Sequence, residues 1–219
     1  MKFRSREDAG RQLAARISEG AKEEPFPGDA VILALPRGGV PIAAEVASAL
    51  GAPMDVLFVR KIGVPTQPEL AAAAVVDGSD PQMVVNDDVV RQARITPEML
   101  EGGKQKALAE ISRRRKLYLS GRAPEAIEGR DVIIVDDGIA TGATMLSAVL
   151  ATRRRNPRSI TLAVPVASYE SLDRLRPEVD HVMCLHVPRP FYGVGAHYLD
   201  FHQLSDDEVC RLLDRHGGV

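Results

Sequence analysis

The sequence predicts an α/β protein with a doubly wound, mostly parallel sheet, and three observations carry that prediction. Short aliphatic runs alternate with longer amphipathic stretches along the 219 residues, which is the β-α-β rhythm of a parallel sheet covered by helices. The run Val132-Ile133-Ile134-Val135 has four β-branched aliphatics and no polar alternation, as suits a strand buried on both faces. At three expected strand ends, Pro36-Arg37-Gly38-Gly39, Arg60-Lys61 and Asp136-Asp137, charged residues or glycines collect. Ligands of such sheets bind outside the carboxyl ends of the strands.

The elements follow in order from periodicity and punctuation. Arg6 to Glu19 reads as an amphipathic helix, and Pro25 to Gly28 as turn material before a strand from Ala30 to Leu35. Pro36-Arg37-Gly38-Gly39 then turns the chain into a helix with Pro41 in its first turn and Gly51 just past its end, the usual Pro-first, Gly-last asymmetry. Asp55 to Val59 is a second aliphatic strand from which Arg60-Lys61 emerge, and Ile62 to Pro68 reads as loop. Ala71 to Val76 and Gln82 to Val85 suit a hairpin around Asp77-Gly78-Ser79. Pro97 to Leu119 is the longest helical stretch, weakened by Gly102-Gly103. After the strand at 132–135 a helix runs to about Arg155 and stops at Asn156-Pro157. Ser159 to Val164 is a strand, Ser168 to Arg176 a short helix and His181 to Val187 a last strand. One domain over residues 1–219 is expected, with 188–219 contributing a small hood.

Composition excludes several classes. With 45% hydrophobic and 26% charged residues, the chain has the make-up of a soluble globule. A formal net charge of -2 argues against a nucleic-acid binder. The triplets Arg113-Arg114-Arg115 and Arg153-Arg154-Arg155 read as solvated helix ends that offset the dipole. Two cysteines, Cys184 and Cys210, outside C-x-x-C spacing make no disulfide framework. No apolar run reaches membrane-span length and the N-terminus has no signal-peptide core, so a cytoplasmic protein with neither membrane nor nucleic-acid partners is expected. The five histidines lack the spacing of a transition-metal site.

The most informative segment is Val132 to Thr144. An aliphatic strand ends in Asp136-Asp137, and the small residues Gly138 and Ala140-Thr141-Gly142-Ala143-Thr144 follow at the start of a helix. Orphan N–H groups and the positive dipole end there favour a phosphate, whereas two carboxylates repel one. The conflict disappears if the ligand carries a sugar between cradle and acids, because ionised carboxylates accept hydrogen bonds from a vicinal diol. A ribose 5-phosphate fits. The segment has neither the Lys of a G-x-x-x-x-G-K-[ST] loop nor a G-x-G-x-x-G pattern. In Pro36-Arg37-Gly38-Gly39, a cation precedes two residues without Cβ, which lets backbone amides approach an anion.

This pattern resembles the phosphoribosyl pyrophosphate (PRPP) signature of type I phosphoribosyltransferases. From about Phe3 to Leu213 the chain is similar to one bacterial subgroup of that family, through residues 33–41, 59–65, the signature, and Phe191-Tyr192-Gly193-Val194-Gly195 with Asp200-Phe201. The resemblance implies the type I fold with a hood, and Mg²⁺-dependent transfer of phosphoribose from PRPP to a nitrogenous acceptor, with release of pyrophosphate. It assigns Asp136 and Asp137 to the ribose hydroxyls and to the edge of a Mg²⁺ shell. It gives Ala140 to Thr144 to the 5-phosphate, Gly138 to the PRPP site beside them, and Arg37, Gly38, Gly39, Arg60 and Lys61 to the diphosphate.

The acceptor is less defined. Relatives acting on 6-oxopurines carry an Asp just before the Thr-Gly of the phosphate loop. Ala140 stands there instead, which points away from hypoxanthine and guanine. Glu69 lies where some relatives place a proton-accepting Glu, and also suits a simple element-initiating acid. Phe191 and Tyr192 suit either an acceptor shelf or packing of the hood, in a chain with 4% aromatic residues. Ala71-Ala72-Ala73-Ala74 departs from the Met-Gly of relatives and touches the hinge of their mobile loop. The resemblance also admits a homodimer, and a non-catalytic PRPP- or nucleotide-binding regulator as an alternative to an enzyme.

Overall fold

All five residues of Ala30–Ala34 and all five of Asp131–Val135 are buried, the mark of strands covered on both faces. The structure, a computed structural model, describes residues 2–23, 29–78, 81–120 and 123–216. Helix α1 (Arg6–Glu23) precedes β1 (Ala30–Ala34), α2 (Gly39–Leu50) and β2 (Met54–Val56). An antiparallel unit follows: β3 (Val59–Val64), β4 (Gln67–Val76) and β5 (Gln82–Val85), then α3 (Asp87–Gln92) and α4 (Pro97–Leu119). The chain returns through β6 (Asp131–Val135), α5 (Ala143–Arg153), β7 (Ser159–Val166), α6 (Tyr169–Leu175), β8 (His181–His186) and α7 (Asp206–His216). One-turn 3-10 segments lie at Arg176–Glu178 and Val194–His197.

The main sheet has the order β2-β1-β6-β7-β8 and every pair in it is parallel. Its two faces make two cores. Ile32, Ala34, Ile133 and Val135 pack with Leu13 and Ile17 of α1, the body of α2, Ile111 of α4 and Val209 of α7. Val31, Leu33, Val132 and Ile134 pack instead with Met145, Ala148 and Val149 of α5 and Leu172 of α6. Residues alternate between the faces along each strand, as the pleat requires. No helix of the described residues is long and apolar enough to cross a membrane.

The second sheet corrects the sequence reading. Ile62 to Pro68 is not a loop: residues 59–64 and 67–76 are paired antiparallel strands, and β5 adds to β4 as the hairpin expected from residues 71–85. Arg60 and Lys61 therefore lie inside β3, paired with Val75 and Ala74, and not at the end of a parallel strand. The aliphatic run 55–59 belongs to two strands of different sheets, divided at Leu57-Phe58. Helix α3 was not expected. It is six residues long and is capped by the Asn86 side chain, which accepts from the Val89 N–H at 3.3 Å. Gly103 is a fitting residue within an unbroken α4: a Cβ there would lie 2.6 Å from Ile62 Cγ2, so its absence seats the helix on β3.

The arginine triplets lie near helix ends as expected, with Arg113 and Arg153 at the surface, and Arg115 is the exception. Arg113 and Arg114 pair with Glu110, and Arg153 with Asp180. Arg115 is largely buried between two buried acids, Asp55 of β2 (Nη2 to Oδ2 3.2 Å) and Asp77, which follows β4. One guanidinium thus ties α4, the parallel sheet and the base of the antiparallel sheet. Burial pushes the Asp77 carboxyl up, and the charge of Arg115 opposes that push. Removing one partner of a buried pair costs about 3–5 kcal/mol, because the other charge is left unpaired. Arg115→Met should therefore lower the unfolding free energy by about 3 kcal/mol at pH 7. A carboxyl with a raised folded pKa binds more protons folded than unfolded, so stability falls as pH rises. The deficit of the variant should then shrink between pH 7 and pH 5, as read by denaturant unfolding at both.

Candidate active site at the ends of β1 and β6

β1 and β6 run side by side, with Ala34 opposite Val135, so the turns that leave them are neighbours. Pro36-Arg37-Gly38-Gly39 lies against Asp136-Asp137 so closely that side chains are excluded. A Cβ on Gly39 would lie 2.5 Å from the Val135 carbonyl oxygen, and one on Gly38 would lie 2.0 Å from Asp137 Oδ2. Here the two glycines answer a requirement of contact. The Pro36-Arg37 peptide is cis. The Arg37 guanidinium turns to the C-terminal segment, donating to the Leu204 carbonyl at 2.7 Å with Asp206 at 3.7 Å. Tyr118 donates its hydroxyl proton to the same Asp206.

The acids are half-buried and adjacent. Asp136 Oδ1 accepts the Asp137 N–H at 2.8 Å. Burial, with the neighbouring Asp137 charge, pushes the Asp136 carboxyl well up. Asp137 is raised by burial too, but the Arg6 guanidinium, 2.9 Å from Oδ2, works against that rise. The Tyr198 hydroxyl donates to the Asp137 carbonyl at 2.6 Å, and burial of that phenol pushes its pKa up. Arg6 and Tyr198 are contacts that sequence reasoning missed. Arg6 lies 131 positions from its partner, and no local pattern links them.

The loop of residues 140–144 is built from below. Ser168 and Ser171 hydroxyls donate to the Ala140 carbonyl at 2.9 and 2.6 Å, and Arg174 donates to the Thr141 carbonyl. With these carbonyls held by α6, Gly142 takes φ +76° and α5 begins with no side-chain cap. Its first N–H groups are therefore free of side-chain competition for an anion. Gly138 is pressed by the hood: a Cβ there would lie 2.6 Å from Val194 Cγ1.

The basic pair sits apart from the acids. Arg60 and Lys61 line an open cleft of about 520 Å³ with Gly63, Gly102 and Lys106. Lys61 also reaches a second cleft of about 550 Å³, whose far wall is Gly142, Ala143 and Arg174. Lys61 and the N-terminus of α5 thus face one space, while Asp136, Asp137 and Arg37 lie outside both clefts. The acid pair is adjacent to Gly38 and Gly39 through direct atomic contacts. Lys106 is a further cation facing the basic pair. In the hood, Phe191 is half-buried against Phe3, Val166 and Tyr198 and stacks on His197 at 5.9 Å. Tyr192 is 81% exposed. Glu69 lies on β4, but its side chain is outside the described residues.

Among the described residues, no three His, Cys, Asp or Glu converge on a point that could hold a metal. Two adjacent carboxylates suit a Mg²⁺ that brings most of its ligands as substrate oxygens and waters.

Residues 3–196 match the phosphoribosyl transferase domain family. The chain belongs to that family. A Mycobacterium tuberculosis protein provisionally named phosphoribosyl transferase is 46% identical over 213 residues, covering 97% of this chain and 46% of its own length. The chain therefore spans about half the length of that curated relative. A Thermus thermophilus protein of solved crystal structure is 39% identical, with both chains fully covered and a TM-score of 0.85. A uracil phosphoribosyltransferase of Kocuria rhizophila shares 38% identity over 58 residues, 26% of this chain. The type I phosphoribosyltransferase fold expected from the signature is thus present, with its parallel sheet of five strands.

Burial of two like charges at the end of β6 makes this phosphoribosyltransferase domain spend stability on its site. Asp136→Asn keeps the acceptor for the Asp137 N–H and removes one charge. It should raise the melting temperature of the free protein at pH 7 by roughly 2–4 °C, equivalent to about 1 kcal/mol. A folded-state pKa above the unfolded value means that ionisation opposes folding, so the gain should fade as the pH falls and the wild-type carboxyl becomes protonated. Calorimetric scans across pH 4–8 read both effects.

Proposed function

We propose that this domain transfers the 5-phosphoribosyl group of PRPP to a nitrogenous acceptor with release of diphosphate. The observation that supports the reading best is the direct contact of Gly38 and Gly39 with the end of β6, in a chain whose next element is the uncapped N-terminus of α5. A diphosphate-directed turn, a diol-directed acid pair and a phosphate cradle thereby occupy one edge of one sheet.

The reaction breaks the bond from ribose C1 to the diphosphate oxygen, which keeps the electron pair, and forms a bond from C1 to the acceptor nitrogen, which loses a proton. Positive charge develops on the sugar and negative charge on the leaving group, as in glycoside cleavage. Asp136 and Asp137 would accept from the ribose hydroxyls and stabilise the former. The turn Arg37-Gly38-Gly39, through the Gly38 amide and the Arg37 side chain, would bind the latter with Arg60 and Lys61 of the antiparallel sheet, since the Gly39 N–H already donates to the Leu35 carbonyl at 2.9 Å, and preorganised charge of this kind is a large part of catalysis. The 5-phosphate would rest on Ala140 to Thr144, with Gly138 beside them. Mg²⁺ would add charge neutralisation on the diphosphate, held mainly by substrate oxygens with Asp136 and Asp137 at the edge of its shell. Tyr192, exposed beside the hood, is the better placed of the two aromatic residues to cover an acceptor, since Phe191 is engaged in packing. Ala140 in place of an acid, with the local likeness to a uracil enzyme, favours a nucleobase other than a 6-oxopurine. Glu69 is carried as the candidate proton acceptor.

One observation favours the regulatory alternative: Arg37 is held by Leu204 and Asp206, and Asp137 by Arg6, so two charges of the site are already answered within the chain. The two readings separate in one experiment. With Mg²⁺, PRPP and a panel of nucleobases, an enzyme releases pyrophosphate with at least one base. Binding of PRPP by calorimetry without release indicates the regulator, and absence of PRPP binding refutes the enzyme and leaves only a regulator that binds a nucleotide, which titration with nucleoside monophosphates reads directly. Asp137→Asn should weaken PRPP binding roughly tenfold, the scale of one charge-assisted hydrogen bond, while the far-UV spectrum is unchanged.

A further inference from the structure

Arg6 is 7% exposed, and a guanidinium so deeply placed needs its donors paired. Its Nε donates to Asp137 Oδ2 and its Nη1 to the His202 carbonyl, each at 2.9 Å. Its Cζ lies 4.0 Å from the centroid of the Phe201 ring. The Phe201 ring in turn stacks on Tyr198 at 5.0 Å, and the Tyr198 hydroxyl holds the Asp137 carbonyl. From the opposite side, Gly38 closes on the same Oδ2. One carboxylate oxygen is therefore fixed between the first helix, the C-terminal segment and the turn after β1. The recorded side-chain hydrogen bond of Asp136 is of another kind, an N–H from its own neighbour's main chain.

We propose that Arg6 is a positioning residue for the PRPP site: it locks the Asp137 side chain and balances its charge, so that the two acids take unequal parts. Asp137 becomes a preset acceptor for one ribose hydroxyl. Asp136, whose carboxylate makes no ion pair among the described residues and feels the Arg6 charge without contact, takes the second hydroxyl and the cation that travels with the diphosphate. The assignment rests on the reading of this edge as a PRPP site. A guanidinium suits it better than an ammonium, because its rigid planar fork donates from Nε and Nη1 in fixed directions while lying over the Phe201 ring, whereas a lysine is a point charge on a flexible stem. Through Arg6, α1 and residues 198–206 become part of the ribose subsite, although neither carries a residue of the signature.

The test is a double-mutant cycle on PRPP binding with Mg²⁺, with kcat and KM measured wherever the base panel gives turnover. Arg6→Gln should weaken PRPP binding at least about tenfold in the wild-type background and less than about twofold in the Asp137→Asn background, because residues acting as a unit are not additive. KM for PRPP should rise more than kcat falls. Arg6→Lys, which keeps the charge and loses the fork, should lie between wild type and Arg6→Gln. Unchanged binding in Arg6→Gln, equal losses in both backgrounds, or equal losses for Gln and Lys would overturn the proposal. If Arg6→Gln melts too low to be measured, Phe201→Leu takes its place in the cycle: it removes the ring under the guanidinium, and its loss should likewise vanish beside Asp137→Asn, an additive loss refuting the role. A wild-type protein that does not bind PRPP brings down the PRPP site itself, whereas wild-type binding with an inert Arg6 brings down only this inference.

Discussion

The parallel pairing of β1 with β6 is the constraint from which the rest of the site follows. Five register pairs, from Ala30 with Asp131 to Ala34 with Val135, are buried from both faces of the sheet, so neither strand can slip without moving apolar side chains into the wrong core. That fixed register sets the two exits side by side at a separation that only glycine tolerates. The contact of Gly39 with the Val135 carbonyl, and of Gly38 with the Asp137 carboxylate, is what the pairing leaves room for. A Cβ at either position would have to push apart strands that the two cores hold together.

Two buried arginines then answer the two sets of buried acids. Arg115 joins Asp55 and Asp77 where the antiparallel sheet leaves the core, and Arg6 joins Asp137 at the site. Pairing reduces the cost of burying a carboxylate without abolishing it, which is why Asp77 and Asp137 are both still shifted upward by burial. Asp136, with a second acid as its neighbour, carries the largest burden. A fold optimised for stability alone would place an apolar residue there. The retained carboxylate is the kind of local cost expected where a ligand supplies the missing partner.

The sequence is legible where local chemistry is self-sufficient. The strand 132–135 and its exit are readable because four β-branched residues, two acids and a small-residue turn need no distant context. The same holds for the hairpin of residues 71–85, where two short apolar runs flank the turn residues Asp77-Gly78-Ser79. Arg60 and Lys61 are misread because the aliphatic run 55–59 looks like one strand, and only tertiary structure shows it passing from the parallel to the antiparallel sheet at Leu57-Phe58. Gln67 to Leu70 is hidden by Pro68, which argues against a strand interior, yet the register shifts near Gly63 leave an irregular edge where proline is tolerated. Arg115 shows the same limit in charge. A basic triplet near a helix end reads as solvated, and its burial depends on acids 38 and 60 positions away. Arg6 is the extreme case, since its partner lies across the whole domain.

Position 140 shows how the loop separates binding from selection. The Ala140 carbonyl is fixed by two serines of the α6 cap, and Ile139 bridges Ala167 at the end of β7. The loop conformation is therefore set by its main chain and by α6, and the Ala140 side chain contributes no hydrogen bond to it. An acid at this position would alter what the loop presents to solvent without dismantling the main-chain contacts beneath it. Selection of the acceptor in the proposed reaction then falls to the hood. There Val194 presses on Gly138 directly beyond the acid pair, and Phe191 ties the segment to the buried cluster of Phe3 and Tyr198. Tyr198 also holds the Asp137 carbonyl, so a change in this segment that moved the tyrosine would be felt at the acid pair as well.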